Sequence, residues 1–189
     1  MSQPAPAKKR ARYEDLLQVP DHLVAEILDG ELFTTPRPAA PHAFSASLLN
    51  AALVPPFGKG RGGPGGWIIL FEPELHLHDE IMVPDLVGWR QTRLPSVPNA
   101  PFLTLAPDWV CEILSPSTER MDRLRKLPIY GREGVLHVWL INPTLRTLEV
   151  LRLEQGRWVV AATHGGDEDV VTVEPFEAVP FELSGIWPG

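Results

Sequence analysis

Residues 107–143 read PDWVCEILSPSTERMDRLRKLPIYGREGVLHVWLINP. Trp109, Val110, Cys111, Ile113 and Leu114 make a β-prone run broken only by Glu112. A carboxylate among apolar neighbours in a strand is expensive unless a partner offsets it. Ser115-Pro116-Ser117-Thr118 then offers turn and N-cap chemistry, with Ser115 and Thr118 as the caps, and Leu124, Leu127 and Tyr130 fall at helical spacing. Residues 135–141, VLHVWLI, are almost continuously apolar, as in a strand covered on both faces. This strand, charged helix and second strand predict an α/β chain, and they raise the question of what Glu112 is for.

Upstream, residues 83–89, VPDLVGW, predict another strand, with Asp85 as its acidic member. If that strand pairs with the one carrying Glu112, the two side chains approach each other at one sheet edge. Two close carboxylates repel unless they share a cation or a proton. Oxygen-only ligands with room for water suit Mg²⁺, or Mn²⁺ in its place, better than zinc, and the Ile113 carbonyl is a further oxygen ligand to consider. Downstream, Asp122, Lys126 and Tyr130 are spaced four and four and so share a helix face. Folded back over the Glu112 strand, the Lys126 ammonium would assist a Mg²⁺-activated water and offset phosphate charge. The plain alternative is a solvated Asp122–Lys126 pair, worth a few tenths of a kcal/mol. Pro128 has no N–H for the Leu124 carbonyl, so the helix must kink or end near Leu127.

The rest of the chain frames this unit. Residues 1–12 are Pro/Ala-rich and basic and predict a disordered tail, leaving residues 13–189 as a single domain. Residues 23–34, LVAEILDGELFT, carry a hairpin signal at Asp29-Gly30, with Glu26 on the first arm. A Pro-rich connector leads to a helix beginning near His42, with Phe44, Leu48, Leu49 and Leu53 expected inward and Pro55-Pro56 as its stop. The glycine run at residues 58–66 lacks the GxxxxGK[ST] pattern, so it predicts a mobile surface loop and not a phosphate cradle. Residues 67–77 predict one or two short strands, with Glu72 and Glu74 flanking Pro73; His76 and His78 alternate there without a third ligand. Residues 148–153, 158–162 and 170–173 predict a closing antiparallel meander.

Composition narrows the classes of function. A hydrophobic fraction of 44% over 189 residues supports a full core, and no apolar run is long enough for a membrane span. Without an apolar segment behind the basic start, and with Cys111 as the one cysteine, the expectation is a cytoplasmic protein without disulfides. A formal charge of −7 argues against non-specific coating of nucleic acid. A local basic surface stays open, because Arg120, Arg123, Arg125, Lys126 and Arg132 gather around the organising helix. The six tryptophans are spread along strands and predict core or subunit-interface packing.

Taken as a set and in this order, AEILDGEL at residues 25–32, His42, VPDLVGW, VCEILSPST and DRLRKLPIYGREGVLHVWLINP resemble a widespread bacterial family described as putative restriction endonucleases. That family is assigned to the PD-(D/E)XK nuclease superfamily. The resemblance implies a restriction-endonuclease-like core ordered helix-strand-strand-strand-helix-strand, between an N-terminal β-hairpin and a C-terminal antiparallel meander. It also implies that Asp85 and Glu112 are the paired acids holding Mg²⁺. The superfamily lysine usually lies two residues after the second acid; here that position is Leu114, and in the resembling family the lysine moves to the following helix, where Lys126 stands. Glu26, Glu72 and His42 match segments that carry further polar residues near the pocket. The implied activity is metal-dependent endonucleolytic hydrolysis of DNA by a homodimer. The alternative from a different class is an inactive nuclease-like binding or structural protein.

Overall fold

The computed structural model describes residues 10–166 and 170–189. In chain order these form α1 (Tyr13–Leu16), β1 (Leu23–Leu28), β2 (Glu31–Pro36), α2 (Ala40–Leu53), β3 (Trp67–Phe71), β4 (Leu75–Leu77), β5 (Glu80–Met82), β6 (Leu86–Arg90) and β7 (Trp109–Ile113). Then come α3 (Glu119–Met121), a π-helical turn (Asp122–Lys126), α4 (Leu127–Arg132), β8 (His137–Asn142), β9 (Thr147–Glu154), β10 (Arg157–Gly165), β11 (Val170–Val171) and β12 (Phe181–Glu182).

The main sheet has the strand order β10-β9-β8-β7-β6-β3. Only β7 and β8 run parallel, because the helical segment between them supplies the crossover that parallel neighbours require. Alternation along β7 divides the core. Trp109, Cys111 and Ile113 face α2 and the C-terminal segment, whereas Val110 and Leu114 pack with Ile129 and Tyr130 of α4. Glu112 shares that second face. Trp109 and Trp139 meet edge to face at 5.2 Å, and Phe176 closes on both, at 4.9 and 5.5 Å. Such aromatic pairs add about 0.5–1.5 kcal/mol each beyond their burial. Gly88 lets these rings pack closely, since a Cβ there would come within 3.1–3.2 Å of Trp109 and Trp67 and push them back by a few tenths of an ångström.

A second sheet, β2-β1-β5-β4, covers the α4 side. Its hairpin turns at Asp29 and Gly30, both with positive φ (52° and 79°), as a two-residue type I′ turn demands. Arg10–Arg12, expected within the tail, lie along this hairpin, and the Ala11 N–H donates to Gly30 O at 2.8 Å; Lys8 and Lys9 lie outside the described residues.

Several local expectations are corrected. The strand predicted over residues 83–89 begins at Leu86, so Asp85 stands immediately before it. Residues 67–77 divide between two sheets, and β5 had no counterpart in the sequence reading. Val170–Val171 leaves the meander to pair with Phe181–Glu182. Phe44 and Leu48 are 45% and 36% exposed; the inward face of α2 carries His42, Ser45, Ala46, Leu49 and Leu53. Pro55-Pro56 does not stop the helix but sits in a π-helical turn, Val54–Gly58, that extends it. Among the described residues no helix is long and apolar enough to cross a membrane.

Candidate active site

β6 and β7 pair antiparallel with Leu86 opposite Cys111, so one further step of register sets Asp85 beside Glu112. Both line a cavity of ≈ 320 Å³ between the two sheets and the helical segment, and Glu26, Glu72, His42 and Lys126 line it with them. All six residues singled out from the sequence therefore meet in one pocket.

Asp85 is fixed from two sides. Its Oδ2 accepts the Ile113 N–H at 2.6 Å, and Nε2 of His42, on the first turn of α2, lies 3.1 Å from both carboxylate oxygens. Burial works to lower the His42 pKa, but the hydrogen bond and charge of Asp85, aided by Glu72 and Asp122, raise it overall. Glu72 enters at the end of β3 with a left-handed φ of 44°, a conformation that costs a non-glycine residue of order 1 kcal/mol. Burial and then the Asp85 charge raise its pKa, against Arg37 and His42.

Glu112, 2% exposed, is held on the opposite side. Its Oε1 accepts from the Tyr130 hydroxyl and lies 3.0 Å from Lys126 Nζ. The same ammonium is 3.1 Å from Glu26 Oε1 and 3.6 Å from Asp122 Oδ1. Glu26 also accepts the Val83 N–H at 2.8 Å, tying the hairpin to the segment that delivers Asp85. Lys126 thus reaches the pocket despite Pro128. The π turn, closed by Leu127 N–H to Asp122 O, widens the helix just before the proline and brings Asp122, Lys126 and Tyr130 to one face. On the same helical segment Leu124 faces outward, 62% exposed.

One ammonium cannot neutralise three buried carboxylates. Burial would lower the Lys126 pKa, yet Glu112 and Glu26 hold it well above its usual value, so the lysine stays charged. Burial is also the main force raising Glu112 well above the ordinary carboxyl range; Lys126 opposes it, and Asp122, Asp85 and Glu26 add to it. Asp122 is pushed up to about 6, mainly by burial. Burial and the Glu112 charge likewise keep the Tyr130 phenol protonated, as a donor. Such a cluster takes up a proton or another cation.

Sequence reasoning missed Asp122 and Tyr130 as site residues, although their four-and-four spacing with Lys126 was the available signal. The expected caps are not formed: no side-chain cap closes the helix at Thr118, and Ser115 Oγ instead lies 2.9 Å from Ser117 Oγ and 3.0 Å from Thr118 Oγ1. His76 and His78 diverge, the first to Glu74 at 2.6 Å and the second to Glu133 at 2.7 Å. Among the described residues no group of three or more His, Cys, Asp or Glu is arranged to hold a metal ion.

The fold has a solved counterpart. The crystal structure of a putative nuclease belonging to DUF820 from Anabaena variabilis ATCC 29413 matches with a TM-score of 0.73 at 22% sequence identity, covering 92% of this chain and 96% of that one. At that identity the likeness is one of fold: α/β, with a PD-(D/E)XK-like helix and strand arrangement and an N-terminal hairpin. No curated protein matches the chain. The model of the Uma2 family, described as putative restriction endonucleases, matches residues 11–184, and the chain belongs to that family.

Proposed function

We propose that the chain is a metal-dependent endonuclease that hydrolyses DNA phosphodiester bonds, with Asp85 and Glu112 holding Mg²⁺ or, in its place, Mn²⁺. The observation that carries this reading is the surplus of negative charge: five carboxylates line the pocket, against Lys126, His42 and, at the mouth, Arg37. The donor set fits such an ion. Mg²⁺ keeps most of its waters and takes one or two carboxylates from a protein, so a triad of ligands is not needed. When bound, the ion would supply Lewis-acid polarisation of the phosphate and of an attacking water.

The chain's own residues do the rest. His42 and the Ile113 N–H orient Asp85, while Tyr130 and Lys126 grip Glu112 Oε1. Lys126 remains an ammonium and so serves as fixed positive charge toward a phosphate, not as a proton acceptor. Glu26 positions that ammonium and, through Val83, the loop that carries Asp85.

Incubation of purified protein with DNA and Mg²⁺ or Mn²⁺ tests the reading. Asp85→Ala and Glu112→Ala should each lower cleavage at least about 100-fold, the scale of losing a main electrostatic contributor. Cleavage unchanged in both variants would remove the assignment; metal uptake without cleavage would favour a nuclease-like binding protein. The chain is also proposed to form a homodimer. Helix α2 contains no charged residue and exposes Phe44 and Leu48, so self-pairing there avoids the repulsion of a net −7 chain. Light scattering that finds monomer at every concentration rejects the dimer.

A further inference from the structure

Three of the four arginines around the organising helix are committed to protein carboxylates; among the described residues only Arg120, which is exposed, has no such partner. Arg123 binds Glu119 at 3.0 Å and also Glu149, Arg125 lies 3.7 Å from Asp29, and Arg132 reaches Glu80 at 2.7 Å. Farther away, Arg93 pairs with Asp108 at 2.9 Å, and Arg152 with Glu174 at 3.0 Å. Intact duplex is held mainly by basic side chains neutralising several phosphates in a row. The expected basic surface is thus largely neutralised from within.

The pocket mouth differs. Arg37 is exposed there and lines the cavity, and one guanidinium nitrogen donates to the Asp21 carbonyl at 2.9 Å. A guanidinium has five N–H donors, so an anchored Arg37 still presents several to a ligand. The groups beneath it are deeply placed, with Glu112, Lys126 and Asp85 all buried. A volume of ≈ 320 Å³ is at the lower end of the range for small-ligand pockets. Pro36, Pro38, Pro116 and Met121 give it apolar walls suited to a sugar or base. A paired strand must be unstacked and drawn out to bring one phosphate to such a floor, at a few kcal/mol, whereas an unpaired strand enters without that cost.

We infer that the pocket takes an unpaired DNA strand or strand end, with Arg37 holding a phosphate at the mouth, and that intact duplex is a poor substrate. This inference rests on the phosphodiesterase reading above. Cleavage with Mn²⁺ is compared for a single-stranded oligonucleotide, a duplex of the same sequence and bis(4-nitrophenyl) phosphate, over a series of salt concentrations. The single strand should exceed the duplex in kcat/KM by at least about thirtyfold, the factor that ~2 kcal/mol of unstacking implies. One or two phosphate contacts give a log–log salt slope of about −0.7 to −1.4 for a single strand. Arg37→Gln should raise KM for the single strand by more than it lowers kcat. A smaller preference for the single strand, a slope steeper than about −2, or an unchanged KM in Arg37→Gln overturns the inference and leaves the phosphodiesterase reading intact. Hydrolysis of the small diester alone overturns the inference and removes DNA as the substrate of the reading above. Hydrolysis of none of the three overturns both.

Discussion

Asp122 shows how far burial governs this pocket. Its carboxyl is almost fully enclosed, faces Lys126 at 3.6 Å and is held up to about 6, whereas an unfolded Asp titrates near 3.8. The folded chain therefore binds this proton more tightly than the unfolded one. For this group, stability is greatest below about pH 4, falls as pH rises to about 6 and is level above that, a change of about 3 kcal/mol by linkage. Asp122→Asn keeps the shape without the ionisation. Denaturant unfolding of the metal-free protein across pH 4–7 should show the native slope flattened in the variant, with a gain at pH 7 of up to about 3 kcal/mol. A slope that survives the substitution would place the effect on another group. Legibility in the sequence followed from the same energetics. Asp85 and Glu112 stood out because acids are anomalous in apolar strands. Asp122 did not, because an i,i+4 partner of opposite charge offers it an ordinary surface explanation.

The helical segment between β7 and β8 acts as a clamp on the strand carrying Glu112. Lys126, at the end of the π turn, and Tyr130, on α4, converge on the same Glu112 oxygen from consecutive turns. Tyr130→Phe removes the hydroxyl and leaves the ring in place. It should cost about 1–3 kcal/mol, the range for leaving a buried hydrogen-bonding group without its partner. Chemical denaturation of Tyr130→Phe, Glu112→Gln and the double variant measures the coupling directly, and a coupling near zero would show that the contact does not fasten helix to strand. The segment's helicity was readable from spacing, but its register was not. Pro128 announced a break without telling whether the turn before it tightens or widens, and widening is what sends Lys126 inward and Leu124 outward. Helix α2 misled for another reason. With no charged residue to mark a wet face, its inward side is chosen by polar partners distant in sequence: Asp85 for His42, and the Ile186 carbonyl, at 2.7 Å, for Ser45.

The pocket exists only when five distant pieces of chain meet: Glu26 from the hairpin, His42 from α2, Asp85 from the loop before β6, Glu112 from β7, and Lys126 from the crossover. The main sheet was legible because β6, β7 and β8 are long apolar runs. The second sheet was legible only in its hairpin, because β4 and β5 have three residues each and turn at His78, which has a positive φ of 53°. That second sheet nevertheless delivers Glu26 to Lys126, so assembly of the whole molecule and assembly of the site are coupled. An ion held by Asp85 and Glu112 would find both ligands together only in the folded chain, and would therefore stabilise it by mass action. At 100 times its dissociation constant the gain is about 2.7 kcal/mol. For a chain of this length that raises the melting temperature by about 5–10 °C. Thermal unfolding with and without Mg²⁺ or Mn²⁺ reads this directly, with no need for turnover. The rise should vanish in the Asp85→Ala, Glu112→Ala double variant. A native protein whose melting temperature ignores both ions, at concentrations where it cleaves DNA, would place the metal on the substrate and not on these carboxylates.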